Sequence, residues 1–113
     1  MKLSELDPRW WSVDMSRRGQ GIHFLCPTCR IERIGVAFNN PIDGGAPAPG
    51  CKFYWTRAGE SFDDLTLDPS INAAAVGHWH GFIKSGETIG NEHACILSVQ
   101  SGEVIDITGK VSE

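Results

Sequence analysis

The sequence predicts an all-β domain, a small antiparallel sandwich or open barrel organised around a zinc knuckle. Three observations carry this reading. Thirteen glycines and six prolines punctuate a chain of 113 residues, so the backbone turns often and suits short strands better than long helices. No segment keeps a 3.6-residue apolar period over three turns, whereas several alternate with period two. Finally, Cys26-Pro27-Thr28-Cys29 sits between two alternating runs, and His78-Trp79-His80 follows far downstream.

Residues 1–20 read as an amino-terminal arm, and residues 21–113 as a single zinc-binding β domain. In the arm, Trp10 and Trp11 are adjacent, so an extended backbone sends their rings to opposite sides. One is expected to latch the arm onto the core edge and the other to remain open to a partner. Gly21 to Leu25 forms a strand with Ile22 and Phe24 on one face. After the Cys-Pro-Thr-Cys turn, Arg30 to Phe38 alternates, with Ile34, Val36 and Phe38 sharing a face and Arg30 and Glu32 leading in.

Asn39 to Gly50 is rich in Gly, Pro, Asn and Asp and is expected as a mobile surface loop without chemistry. Cys51 to Thr56 reads as an aromatic strand, closed by a turn over Arg57 to Glu60. Asp63 to Ile71 gives a short strand broken at Pro69, and Ile71 to Val76 has room for one helical turn. His78 to Ile83 is another strand, turning at Lys84 to Glu87 into Thr88-Ile89. His93 to Val99 and Glu103 to Thr108 complete the chain as a final hairpin, for about seven short strands in all.

Charge and composition narrow the function. Ten basic and fourteen acidic residues give a net charge of −4, which argues against a general nucleic-acid binder. A local patch of Arg17, Arg18, Arg30 and Arg33 keeps that class in view, although solvated surface is the simpler reading. No apolar run reaches the length of a membrane span, and Met1 to Pro8 lacks a signal-peptide core. A reducing cytoplasm is therefore expected, where four cysteines serve as metal ligands or buried thiols rather than disulfides.

The metal reading follows from donor types and spacing. Cys26 and Cys29 place two thiols on one tight turn between strands, not at a helix start in a βαβ unit as a redox pair would be. His78 and His80, two apart on a strand, project to one face. Together they make a tetrahedral Cys₂His₂ set suited to Zn²⁺, with Trp79 turned into the core. His93 and Cys95 have the same spacing, and Cys51 is a further thiol, so a substitute ligand from these remains open. The four-donor set with His78 and His80 ranks first.

The ordered motifs also carry a resemblance. Phe24 to Cys29, Trp55-Thr56-Arg57, Leu65 to Ile71 and Gly77 to Ile83 with Gly86-Glu87 resemble a small uncharacterised domain family of tailed phages, prophages and some bacterial operons. It spans roughly residues 8 to 90, by the CPxC, LxPSI and HWHGxI motifs, and nothing from Asn91 onward takes part. The resemblance implies a small β-rich metal-binding protein, phage-encoded, without an activity to carry over. Many relatives have a Cys in place of one histidine ahead of the shared His80, as interchangeable zinc ligands allow.

Four filled positions imply a structural zinc, since catalytic zinc keeps one position for water. The chain leans away from enzymes: neither the HExxH helix, the deaminase HxE, GxSxG nor a P-loop is present. The expected function is a cytoplasmic accessory protein that binds a protein partner. Two alternatives stand beside it. One is a zinc hydrolase with an open metal position and Asp63, Asp64, Asp68 or Glu87 as base. The other is a nucleic-acid module built on Arg17, Arg18 and the tryptophans.

Overall fold

The alternating runs become short strands joined by tight turns. The structure is a computed structural model that describes residues 1–72, 79–91 and 104–106. A 3₁₀ turn (Leu3–Leu6) precedes β1 (Arg9–Trp11), β2 (Gly21–Leu25), β3 (Arg33–Ala37), β4 (Thr56–Ala58) and β5 (Thr66–Asp68). β6 (Ile71–Asn72), β7 (His80–Lys84), β8 (Glu87–Asn91) and β9 (Val104–Asp106) follow. They form three sheets in the orders β1-β2-β3-β9, β4-β5 and β6-β7-β8, and none closes into a barrel. The protein is all-β, as its turn content and period-two patterning predict.

The β2–β3 pair builds the centre. Its register sets Ile22 opposite Val36 and Phe24 opposite Ile34. Residues opposite one another in an antiparallel pair share a face, so these four make one apolar surface. All four are fully buried, together with Phe38 just past β3 and Leu65, Leu67, Ile71, Trp79 and Ile83 from later in the chain. Trp79 meets Phe24 edge-on, with ring centroids 6.4 Å apart.

The arm is latched into this core. On the 3₁₀ turn Leu3 and Leu6 are three residues apart and lie over one another, and both are fully buried. The Leu3 N–H donates to the Gly86 carbonyl at 2.7 Å, and the Thr88 N–H donates to the Met1 carbonyl at 2.8 Å. Gly86 belongs to a two-residue hairpin turn in which Ser85 and Gly86 both have positive φ, 48° and 75°. That is the mirror-image turn whose twist matches two antiparallel strands, and it needs glycine or a tolerant polar residue.

Several expectations shift by a few residues for identifiable reasons. Cys51 to Tyr54 is not strand: the Tyr54 hydroxyl donates to the Ala48 carbonyl and draws this segment into the preceding loop. Trp55 makes a single parallel bridge to Phe38, and the strand proper begins at Thr56. Arg57 and Ala58, expected in a turn, pair with β5, and Asn40 accepts the Arg57 N–H through its side chain. Ile71 enters β6 opposite Gly81, and the rest of the Ile71 to Val76 stretch beyond Asn72 lies outside the described residues. β9 lies within the predicted last strand but runs parallel to β3, the one parallel strand pair described. The expected strand from His93 to Val99 lies outside the described residues.

The Asn39–Gly50 loop is anchored to the arm. Arg17 makes a two-pronged ion pair with Asp43, at 2.8 and 3.1 Å, and also donates to the Ala46 carbonyl. The buried Gln20 amide joins both sides, accepting from the Val13 N–H and donating to Ala46.

Removing the edge-on ring at the centre of these contacts should be costly. Trp79→Ala is expected to lower unfolding free energy by about 3–5 kcal/mol, and Met15→Ala, on a fully exposed side chain, to change it by under about 0.5 kcal/mol. Urea titration followed by tryptophan fluorescence measures both.

Candidate metal centre

β2 carries its alternation directly into the Cys-Pro-Thr-Cys turn. Ile22 and Phe24 face the core, and Cys26, two further on, continues that face and is fully buried. Cys29 is half-buried and packs against the same cluster. The turn closes with two backbone hydrogen bonds of 2.8 Å: the Cys26 N–H donates to the Glu32 carbonyl, and the Arg30 N–H donates to the Cys26 carbonyl. Cys26, Cys29 and Cys51 carry thiols rather than disulfides.

Two features of the turn point beyond simple chain reversal. Arg30, immediately after the second thiol, sits in the left-handed region at φ 57°. A side chain there costs about 1 kcal/mol relative to glycine, because Cβ crowds the following carbonyl. The Thr28 hydroxyl oxygen is buried and has no hydrogen-bond partner among the described residues. A buried hydroxyl left in that state costs about 1–3 kcal/mol. Two cysteine thiols on one turn are donor types that fit a thiolate-bound metal.

The turn also contains a residue that sequence reasoning passed over. The β2–β3 register pairs Phe24 with Ile34, so its next in-phase pair is Cys26 with Glu32, and the Cys26–Glu32 backbone bond follows that continuation. Cross-strand neighbours of this kind have Cβ atoms about 4.5–5.5 Å apart on one face. Glu32 is only 1% exposed. The signal lay in the alternation: stepping back by two from Ile34 lands on Glu32, which marks it as inward-facing.

The histidine side is placed by Trp79. From Trp79 along β7, Trp79, Gly81 and Ile83 are buried, while His80, the first residue of the strand, is half-buried and Phe82 and Lys84 are exposed. The inward Trp79 brings this strand against Phe24, at the base of the knuckle strand, as predicted for its ring. His80 occupies the alternate face, pairing by backbone register with Asn72 and Asn91. His78 lies outside the described residues, as do His93 and Cys95. Among the described residues no three His, Cys, Asp or Glu side chains gather closely enough to hold a metal ion. Cys26, Cys29 and His80 therefore do not form a preassembled three-donor site.

Other candidate residues have local structural partners. Asp64 accepts from the Ser61 N–H and hydroxyl, which holds its carboxyl below the usual range. Glu87 pairs with the Met1 amino group at 3.6 Å. The Ser70 carbonyl accepts from the Trp55 indole N–H. Asp43 is held well below the usual carboxylate range, first by the Arg17 guanidinium and then by the Arg18 and Gly45 N–H groups. Arg17 is thus a loop anchor. Arg33 donates to the Asp7 carbonyl and carboxylate, while Arg18 and Arg30 are exposed.

The tryptophans divide as their alternation predicts. Trp10 stacks on Phe62, with centroids 4.5 Å apart, and meets Phe38 edge-on. Trp11 lies on the other side, its ring against Gly21, where any Cβ would collide with the indole. It borders an open cleft of about 440 Å³ with Val13, Asp14, Met15, Arg17 and Arg18.

His23 is the one histidine with a described side-chain bond. Its Nδ1 lies 3.0 Å from the Arg33 guanidinium, which can only donate, so this nitrogen accepts and the ring is neutral. Burial, and then the positive charges of Arg33 and Arg9, push its pKa below the ordinary 6.5.

In comparisons with family models, curated proteins and solved structures, nothing matches this chain. The phage-domain resemblance stands on its motifs alone.

Two outcomes follow from these geometries. Arg30→Gly should raise stability by about 1 kcal/mol, measured as a higher urea midpoint at unchanged slope. Because folding lowers the His23 pKa, its contribution to stability is complete above pH 6.5 and is lost as pH falls through the folded value. His23→Gln should flatten that acid limb in melting curves taken across pH.

Proposed function

We propose that this chain is a cytoplasmic, phage-encoded zinc-binding accessory protein that acts by engaging a protein partner. The Cys26–Cys29 turn supplies two thiolates, and the His78–His80 segment supplies imidazole donors. The observation that carries the reading is the turn itself: two thiols on a closed hairpin loop, a left-handed residue directly after the second, and a buried hydroxyl between them that lacks an acceptor.

Zinc in this position joins segments far apart in sequence and converts metal affinity into folding free energy. Two thiolates also place negative charge on the ion and weaken its pull on water, which favours a structural role over hydrolysis. The nucleic-acid alternative loses support, because Arg17 and Arg33 are committed to Asp43 and Asp7. The net charge of −4 points the same way.

Elemental analysis and zinc-edge X-ray absorption of the purified protein test this reading. One zinc per chain is expected, with two sulfur donors and the remainder nitrogen or oxygen. Chelation should lower the melting temperature. A chain that copurifies with no metal and takes none up would refute the proposal.

A further inference from the structure

We infer that the open cleft beside Trp11 docks a linear peptide segment of a partner protein. One apolar side chain of that segment sits among Trp11, Val13 and Met15, and a neighbouring carboxylate pairs with Arg18. This rests on the protein-partner half of the reading above, not on its metal, and it names the surface and the partner's chemistry. The basis is a contrast within residues 12–19: the backbone is tied down at several points, yet the Val13, Met15 and Arg18 side chains take no part in holding it.

The ties are specific. The Val13 N–H donates to the buried Gln20 side chain at 2.9 Å, and the Ser16 N–H donates to the Asp14 carboxylate at 2.8 Å. The Arg17 N–H donates to the Asp14 carbonyl at 3.3 Å, closing a turn with Met15 at its corner. Arg18 bonds Asp43 through both backbone groups, donating to its carboxylate at 3.0 Å and accepting from its N–H at 3.2 Å. A segment fixed in this way has little freedom left to lose when a ligand arrives, which is the advantage of a preformed site.

The side chains it presents contribute little to the fold. Val13 is 43% exposed and Met15 is fully exposed, and with half-buried Trp11 they border one cleft of about 440 Å³. Single exposed apolar residues are ordinary, whereas three around one concavity make a patch. Methionine adapts its shape to varied partners, and tryptophan and arginine carry much of the binding energy at interfaces. Among the described residues Arg18 makes no ion pair. The other charged groups on the cleft are engaged, Arg17 with Asp43 and Asp14 with Ser16.

Charge selects the occupant. The uncommitted charge at the cleft is positive and complements a carboxylate. Salt screens exposed charges beyond about 8 Å, so Arg18 rather than the net charge of −4 sets the local preference. One arginine suits one or two carboxylates, whereas a nucleic-acid strand presents a phosphate at every nucleotide and calls for several cations in line. The cleft is also open and covers its ligand from one side. That fits a peptide whose other side stays in solvent, not a small molecule that a pocket encloses.

The test is selection from a displayed library of random peptides against the full chain, followed by titration of enriched peptides into ¹⁵N-labelled protein. Enriched sequences should combine an aromatic or aliphatic residue with Asp or Glu a few positions away, and should shift the Trp11 indole N–H resonance. Arg18→Glu should weaken their binding at least about tenfold and recover part of it when the peptide's acidic residues are replaced by Lys. Met15→Ala should weaken binding about threefold or more at an unchanged urea midpoint. Trp11→Ala should abolish it, and the two exposed variants decide the matter if that one folds poorly.

No enrichment, or enrichment without acidic residues, would overturn the inference. Peptides that bind Arg18→Glu and Met15→Ala as tightly as the unaltered chain would also overturn it, while leaving the protein-partner reading standing. A fluorescent single-stranded oligothymidine that shifts Trp11 and binds more tightly than every enriched peptide would replace it with a nucleic-acid site. Metal content is measured separately, so the zinc reading can fail without this one.

Discussion

The antiparallel register between β2 and β3 is the constraint on which the rest of this structure depends. It sets Ile22 against Val36 and Phe24 against Ile34, and the resulting apolar face receives the 3₁₀ turn, Phe38, Trp55 and Trp79. A shift of one residue would send every one of these side chains to the opposite face. The same register, carried one step past the last ladder pair, places Cys26 opposite Glu32. Core and candidate metal centre are therefore two ends of one hairpin, and neither could be moved without the other.

Trp79 shows how the core competes with the site. A strand has two faces, and β7 gives its inward one to the indole, Gly81 and Ile83. His80 then takes the outward face with Phe82 and Lys84. The indole is the larger apolar group, so its burial decides which way the strand faces. The spacing that puts two imidazoles on one face also puts them opposite Trp79, and burying the tryptophan turns that face away from the core.

Electrostatics in this chain are mostly structural and local. Arg17 belongs to a clasp with Asp43, and Arg33 joins Asp7 and His23 across the arm and the first sheet. Each clasp ties part of the arm to a residue more than twenty-five positions away in sequence. What resembles a basic patch in sequence is divided once Arg17 and Arg33 have found their partners, because these ion pairs form between residues distant along the chain.

The sequence by itself determined the all-β class, the β2 and β3 strands, the β7–β8 hairpin with its Ser85-Gly86 turn, the buried Trp79 and the opposed Trp10 and Trp11. All of these are local: period-two alternation and turn chemistry act over a few residues, and a linear reading captures them. Tertiary structure decided what local rules leave degenerate. Tyr54 bonds back to Ala48 and delays β4, β9 runs parallel to β3, and Arg17 closes on Asp43. It also set Glu32, which the alternation from Ile34 marks as inward-facing, opposite Cys26. A residue's face is set by its pairing partner, and which strand that partner lies on is a property of the folded chain.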